Sequence, residues 1–288
     1  MSGASYGALL DAVRGVQWPA RRVVAAGPVG VHHSRMRGAS TEFAEYRAYR
    51  QGDEARRIDW RLLARSDRAY VRLTTDRAVL GTTIVLDASA SMTFPLATRA
   101  KWQRAQEIAI GLAAVAHASG DPIGLVVAEG NGPPRALPAR TRRGVVDELA
   151  RIVTSVEPSG SPPIAPLARI ARSARIAIIS DLLGDADDVV RFVSAHVASG
   201  GDAHVVHVVA REELDLPKRT LLAADPEDPT IERLLTDGTR RAYDDAFAAW
   251  RAEIARRFRA GGASYTQVVT DELAAHAVRR ITRLPVRE

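Results

Sequence analysis

Five short hydrophobic runs stand out along the chain from Thr82 onward. Each is rich in β-branched residues and almost continuously apolar, which is typical of strands buried on both faces of a parallel sheet. Residues before about Arg77 lack this pattern. The predicted strands are Thr83–Asp87, Ile123–Glu129, Arg175–Asp181, Ala203–Val209 and Tyr265–Thr270.

Helical periodicity fills the stretches between these runs. Between Arg99 and Ala118, apolar residues recur at the spacing of one helix face, and residues 144–156 and 185–198 are also predicted helices. A fourth helix, residues 241–260, carries a stripe that we interpret as core packing: Tyr243, Phe247, Trp250, Ile254 and Phe258. Alternating strands and helices predict an α/β fold, doubly wound around a mainly parallel sheet with helices on both faces.

Two carboxylates end two of the predicted strands. Asp87 closes one run and Asp181 closes another, and ligands of open α/β sheets bind outside the carboxyl ends of the strands. Ser89 and Ser91 follow Asp87 at every second position. Such hard oxygen ligands suit Mg²⁺, or Mn²⁺. The alternative is that the serines cap the next helix and Asp87 binds loop amides. The spacing alone leaves both interpretations open.

Composition excludes several classes of function. The 288-residue chain has no cysteine, so disulfides, thiolate metal sites and a cysteine nucleophile are excluded. The formal net charge is +6, but acidic residues are interleaved throughout, and we expect no specific nucleic-acid binding. The longest uncharged apolar stretch, residues 108–120, is too short for a transmembrane segment. We expect a cytoplasmic protein, with peripheral membrane attachment through a partner left open.

Enzyme motifs are missing from the sequence. We find no nucleophile elbow and no glycine-rich phosphate loop. A phosphatase-like hydrolase with a strand-end aspartate nucleophile would need a second aspartate where Ser89 stands. We therefore expect a protein that is not an enzyme and keep the hydrolase only as a remote alternative.

The N-terminal region is irregular and rich in arginine. We divide the chain into residues 1–78, expected to pack on the sheet, and residues 79–288, the α/β domain. Opposite charges lie close together in the first region, and arginine pairs bidentately with carboxylates. They form either a structural network with buried aromatics or a surface that docks a partner. Its members are Glu42, Arg47, Tyr49, Asp53, Arg56, Asp59, Trp60 and Arg65, with Phe43 beside them.

The stretch Asp87–Met92, DASASM, resembles the metal-ion-dependent adhesion site (MIDAS) of von Willebrand factor A domains. The resemblance implies that Asp87, Ser89 and Ser91 belong to a metal site that Asp181 completes. A threonine on a further loop belongs to that family's site, and Ser161 stands at the corresponding place here. Serine keeps the hydroxyl but lacks the methyl group that restricts its rotamer.

The segment from residue 41 to residue 72 resembles the signature of a prokaryotic family, domain of unknown function family 58. The matching residues include Glu42-Phe43, Arg47, Tyr49, Gly52-Asp53, Arg56, Ile58-Asp59-Trp60, Ala64-Arg65 and Tyr70-Val71-Arg72. The resemblance implies a von Willebrand factor A-like fold and association with a MoxR-type AAA+ ATPase. It also implies a part in chaperone-like maturation of a client protein.

Two functions follow as expectations. The first is a non-enzymatic interaction module in which the MIDAS-like residues hold a divalent ion and a carboxylate of the partner completes its coordination. The second keeps the fold with a metal-free site, and the N-terminal arginine and aromatic surface then binds the partner.

Overall fold

A computed structural model describes residues 3–20, 29–33, 43–50, 53, 58–74, 77–130, 132–171, 173–184, 186–216, 222–224, 232–234 and 236–283. The strands are β1 Val29–His33, β2 Phe43–Ala48, β3 Tyr70–Thr74, β4 Arg77–Ala78, β5 Thr82–Ala88, β6 Ile123–Glu129, β7 Arg135–Arg140, β8 Arg175–Ser180, β9 Asp202–Val209, β10 Leu222–Ala224, β11 Glu232–Leu234 and β12 Ser264–Val269. The helices are α1 Gly3–Ala12, α2 Trp60–Ser66, α3 Ala100–Ala118, α4 Val145–Thr154, α5 Ile164–Ala168, α6 Ala186–Ala198, α7 Arg211–Leu214, α8 Asp237–Ala260 and α9 Ala274–Thr282.

One six-stranded sheet forms the centre of the larger unit, in the order β12-β9-β8-β5-β6-β7. Five of its strands are parallel, and β7 is an antiparallel edge strand. Every residue of β5, β8 and β9 is buried, as expected for strands covered on both faces. Because β5 and β8 are parallel neighbours, their carboxyl ends lie side by side at one edge of the sheet.

Helices cover both faces of the sheet. One apolar core contains residues of α1, α3, α4 and α9, and the other contains residues of α5, α6 and α8. Alternate residues of each strand face opposite cores: Ile84 and Leu86 belong to the first, Val85 to the second. The same alternation separates His204, whose ring contacts Trp18, from His207, whose ring contacts Trp250, as the three-residue spacing predicts.

The chain divides into two units by its contacts. The larger unit contains residues 1–19 and 81–288, and the smaller one contains residues 20–80. Residues 3–19, which our sequence-based division assigns to the N-terminal segment, thus group with the sheet. The smaller unit contains the two-stranded sheets β1-β4 and β2-β3 together with α2.

The predicted strands and helices are confirmed, and the fold is α/β with a mainly parallel sheet. The sequence pattern does not predict the edge strand β7, because five of its six residues are exposed and only Leu137 is buried. The α8 stripe is core only in its second half: Ile254 and Phe258 are buried, whereas Tyr243 and Phe247 are half-buried. Among the described residues, no helix has both the length and the apolar character needed to cross a bilayer.

Candidate functional site

Three loops meet at the carboxyl end of β5. The first follows β5 and forms a short 3₁₀ helix, Ala90–Thr93. The second, residues 157–163, is held to the first by two backbone hydrogen bonds: Ala90 N–H donates to the Gly160 carbonyl at 2.8 Å, and Ser159 N–H donates to the Ala88 carbonyl at 2.9 Å. The third loop follows β8. The MIDAS-like residues are therefore carried on elements that adjoin one another.

The Asp87 carboxylate is buried, and both of its oxygens accept hydrogen bonds. The Ser89 amide donates to Oδ1 at 2.9 Å, and the Ser180 hydroxyl donates to Oδ2 at 2.6 Å. The Ser180 hydroxyl also accepts from Leu182 N–H at 2.8 Å, which fixes its own proton on the Asp87 side. The Ser89 and Ser91 hydroxyls lie 3.0 Å apart, and both serines are buried.

Asp181 lies one residue beyond β8 and is also buried. Leu183 N–H donates to its Oδ1 at 3.2 Å. Between them, Leu182 has φ 59°, in the left-handed region that a leucine seldom adopts. Leu182 is nonetheless buried, so the surrounding packing holds this strained backbone, as is common at functional sites. The strained turn brings the Leu183 amide back to the Asp181 carboxylate.

A buried lysine contacts the same carboxylate. Lys101 Nζ lies 2.7 Å from Asp181 Oδ2 and 2.7 Å from Glu213 Oε1, and the lysine has no exposed surface. Glu213 belongs to α7, directly after β9, and its Oε2 accepts from Ala210 N–H at 2.7 Å. The lysine thus joins the first turn of α3 to the loops that follow β8 and β9.

Two buried carboxylates shape the electrostatics of this edge. Burial, reinforced by the charge of Asp181, raises the pKa of Asp87 to about 7, although Ser180 and the Ser89 amide oppose the shift. Burial by itself would lower the pKa of Lys101, but the charges of Asp181 and Glu213 outweigh it and raise that pKa. The surroundings of Asp87 and Lys101 therefore favour a bound proton or another positive charge beside the buried carboxylates.

The donor set fits a small divalent cation. Asp87, Ser89, Ser91 and Asp181 supply two carboxylates and two hydroxyls, all of them hard oxygen donors on buried residues. A cation near Asp87 and Asp181 would also relieve the repulsion that raises the Asp87 pKa. Within the described ranges, no cluster of three or more histidine, cysteine, aspartate or glutamate side chains could hold a metal. An ion at this edge would therefore depend on the serine hydroxyls.

Ser161 lies beside this cluster but differs from it in exposure. A Cβ atom built on Gly184 would lie 3.9 Å from Ser161 Oγ, so the serine borders the loop that carries Asp181. Its side chain is exposed, whereas the other four predicted ligands are buried. Hydrogen bonds join Asp87 to Ser89 and Ser89 to Ser91, and the charge of Asp181 acts on Asp87, whereas Ser161 lies at the solvent side of the edge.

The N-terminal signature residues form a network within the smaller unit. Arg47 pairs with Asp53 at 2.7 Å, and Asp53 also accepts from the Arg50 amide. Asp59 is the N-cap of α2 and accepts from Arg61 N–H and Leu62 N–H, and the Tyr46 hydroxyl donates to its Oδ2 at 2.7 Å. Several of these charges thus have structural partners. Glu42, Gly52 and Arg56 lie outside the described residues.

The aromatic residues of the signature are not buried as the structural interpretation expects. Trp60 is 60% exposed and Tyr49 is 39% exposed, and Tyr46, which is not a signature residue but binds Asp59, is 42% exposed. Arg65, in the last turn of α2, is exposed as well. The network therefore presents aromatic and basic groups to solvent, although the side chain of Phe43 lies outside the described set.

Lys101, Ser180 and Glu213 are the residues of the site that the sequence interpretation misses. Lys101 did carry a signal: it is one of two lysines among 40 cationic residues, and it lies four residues before Ala105 on the buried face of α3. Ser180 precedes Asp181 inside the apolar run. Glu213 has no comparable signal, because nothing in its local pattern separates it from Glu212.

The sheet order and the helices on both faces define a doubly wound α/β fold of the von Willebrand factor A-like class. Two solved structures are similar to this chain: the conserved hypothetical protein BatB from Bacteroides thetaiotaomicron (17% identity, TM-score 0.47) and the VWA domain of SpRpn10 (13%, TM-score 0.39). The first alignment covers 70% of this chain and 96% of the other, and the second covers 69% and 94%.

The family described as "Protein of unknown function DUF58" matches residues 45–253. Uncharacterized proteins of Mycobacterium bovis and Mycobacterium tuberculosis are each 30% identical to the chain over 252 residues, covering 84% of this chain and 78% of theirs. The chain belongs to the DUF58 family.

Proposed function

We propose that this protein is a non-enzymatic interaction module whose strand-end site binds Mg²⁺ or Mn²⁺. The observation that carries the proposal is that hydrogen bonds join Asp87, Ser89 and Ser91 at one buried edge of the sheet, where the charge of the buried Asp181 acts on Asp87. The Asp87 pKa, raised by burial and by Asp181, supports a cation there. These four residues would hold the ion, with Ser161 as an outer donor.

A bound divalent ion would supply an electrophilic position for a carboxylate of the partner. Two of the four donors are neutral hydroxyls, so the ion would keep part of its positive charge. Ser161 and Leu183, the latter 48% exposed, mark where the edge opens to solvent. The partner that we propose is a MoxR-type AAA+ ATPase, with a client protein whose maturation the pair assists. The support is the family resemblance of residues 41–72 and of Asp87–Met92.

The ion-binding step is tested by titration calorimetry with Mn²⁺ and Mg²⁺ on the wild type and on Asp87→Ala. The matched control is Asp11→Ala, because Asp11 is an exposed aspartate on α1, remote in sequence from the proposed ligands. We expect heat of binding from the wild type and the control, and none from Asp87→Ala. Equal heats from all three proteins would exclude Asp87 as a ligand.

A second candidate, the metal-free site, has a specific observation in its favour. Lys101 already places a cation on Asp181, and the four carboxylate oxygens of Asp87 and Asp181 each have a donor within the chain. In this case the exposed Trp60 and Tyr49 would contact the ATPase. Acidic groups on the partner would complement the nearby arginines.

Capture of the ATPase on immobilised protein separates the two candidates. Capture that is lost in EDTA and in Asp87→Ala, but kept in Trp60→Ala, favours the ion-dependent module. Capture that survives EDTA and is lost in Trp60→Ala favours the metal-free module. Turnover of a general phosphoester by the wild type, abolished in Asp87→Ala, would contradict both and indicate a hydrolase.

A further inference from the structure

Lys101 contacts the strand-end site, which is formed by Asp87, Ser89, Ser91 and Asp181. Its ammonium group is fully buried, and burial of a charge is costly unless partners compensate it. Two carboxylates from separate loops do so, each at 2.7 Å: Asp181 after β8 and Glu213 after β9. The centroid of the Phe94 ring lies 5.7 Å from Nζ. Because its side chain is buried, Lys101 does not contribute to the protein surface.

Lys101 and a divalent ion would compete for the same carboxylate. Asp181 Oδ2 accepts from the lysine and Oδ1 accepts from Leu183 N–H. An ion that binds Asp181 would therefore compete with the lysine for Oδ2, because the two cations repel each other. Ionised Asp87, Asp181 and Glu213 bring three negative charges to the edge, and Lys101 neutralises one of them. Without the lysine, the attraction for a divalent ion increases.

We propose that Lys101 is an intramolecular counter-cation that lowers the affinity of the strand-end site for divalent ions. This inference rests on the proposed ion-binding function. The ammonium keeps Asp181 neutralised in the ion-free protein, and ion binding requires it to withdraw from Oδ2. The two candidate functions then correspond to two states of one site, one with the lysine on Asp181 and one with the ion.

Glu213 connects this exchange to the adjoining helix. One of its oxygens binds Lys101 and the other accepts from Ala210 N–H at the start of α7. When the lysine withdraws from Asp181, Glu213 is its remaining acidic partner among the described contacts. Ion binding is therefore coupled to the segment Ala210–Leu214, which lies outside the ligand set itself.

The test is Mn²⁺ binding, measured by calorimetry and by the electron paramagnetic resonance signal of free Mn²⁺. The proteins are the wild type, Lys101→Met, and the double variant Lys101→Met/Glu213→Gln. The double variant removes both members of a buried pair, so it preserves folding if the single variant leaves Glu213 too poorly compensated. Circular dichroism confirms that each protein is folded. We expect Lys101→Met to bind Mn²⁺ at least tenfold more tightly than the wild type. The double variant keeps the net charge of the edge, so we expect it to bind more tightly than the wild type by a smaller factor, through the release of Asp181 alone.

The matched control adds Asp87→Ala to Lys101→Met/Glu213→Gln, and we expect it to abolish the gain in affinity. Equal or weaker Mn²⁺ binding by folded lysine variants, with binding by the wild type intact, would overturn the role of Lys101 and leave the proposed function standing. Absence of Mn²⁺ binding in every protein would overturn both, and Lys101 would then be a structural ion pair.

Discussion

The hydroxyl of Ser180 donates a 2.6 Å hydrogen bond to Oδ2 of Asp87, across 93 positions of sequence. The register of β5 and β8 explains this contact. Leu86 is paired with Ile179, so Asp87 and Ser180 follow side by side on the same face of the sheet. This single contact joins the ends of the two strands whose following loops carry the candidate site.

We expect Ser180→Ala to lower the free energy of unfolding by about 1–3 kcal/mol. The substitution removes a hydrogen bond from a buried carboxylate and also removes the acceptor for Leu182 N–H. Urea denaturation followed by circular dichroism measures the change. The control is Ser199→Ala, whose hydroxyl bonds only the carbonyl of His196 at an exposed helix end. A loss no larger in Ser180→Ala than in this control would show that the bond contributes little.

Part of this site follows from sequence and part does not. Asp87 and Asp181 could be placed at one edge, because both end buried runs and parallel strands present their carboxyl ends together. The adjacency of β5 and β8 is set by the crossovers, which hydrophobic runs do not encode. Lys101 is still more difficult to predict from the sequence, because its partners Asp181 and Glu213 lie 80 and 112 residues away. A helical pattern counts a lysine as polar, although here the charge is buried by those partners.

For the edge strand β7 and the aromatic stripe of α8, too, the sequence pattern does not predict burial correctly. β7 alternates too weakly to be recognised, because one of its faces is nearly all solvent. The α8 stripe has the correct period along its length, but periodicity cannot show how far the covering elements extend. Both errors arise where burial depends on neighbours that are distant in sequence.

The two halves of the α8 stripe should differ in their contribution to stability. Phe258 is fully buried, and Phe258→Ala should cost about 3–5 kcal/mol of unfolding free energy. Phe247 is half-buried and stacks between Tyr243 and Trp250 at centroid distances of 5.4 and 5.7 Å. Phe247→Ala should cost about 1 kcal/mol. Chemical denaturation of both variants checks this, and equal costs would mean that the stripe is core along its whole length.

The opposite end of the sheet contains a second buried cation, Arg175. Its Nε lies 3.1 Å from Asp202 Oδ2, its Nη1 lies 3.8 Å from Asp121 Oδ2, and its guanidinium packs over the Trp18 ring at 4.4 Å. Arg175→Met should destabilise the protein by about 3–5 kcal/mol, because two buried carboxylates lose this partner. The variant Arg175→Met/Asp202→Asn should be more stable than Arg175→Met alone. If the double variant is the less stable one, uncompensated charge is not the reason for the loss.

Asp202 should make stability depend on pH in the acid range. Burial alone would raise the pKa of Asp202, but His204 and Arg175 outweigh it and hold that pKa below its ordinary value. The unfolded chain therefore binds the proton first as pH falls, near the ordinary aspartate pKa of about 4. The stabilisation is complete well above that pH and is lost as pH falls toward the folded-state pKa.

Urea unfolding of the wild type and Asp202→Asn at a series of pH values from about 6 to 2 measures this contribution. The wild type should lose stability more steeply on acidification, by up to about 1.4 kcal/mol per pH unit for one proton. The Asn variant keeps the side-chain shape without the titrating carboxylate, so its profile should be flatter below about pH 5. Parallel profiles across the whole range would mean that Asp202 binds its proton equally well in the folded and unfolded chains, and that the interaction with Arg175 and His204 does not favour its charged form.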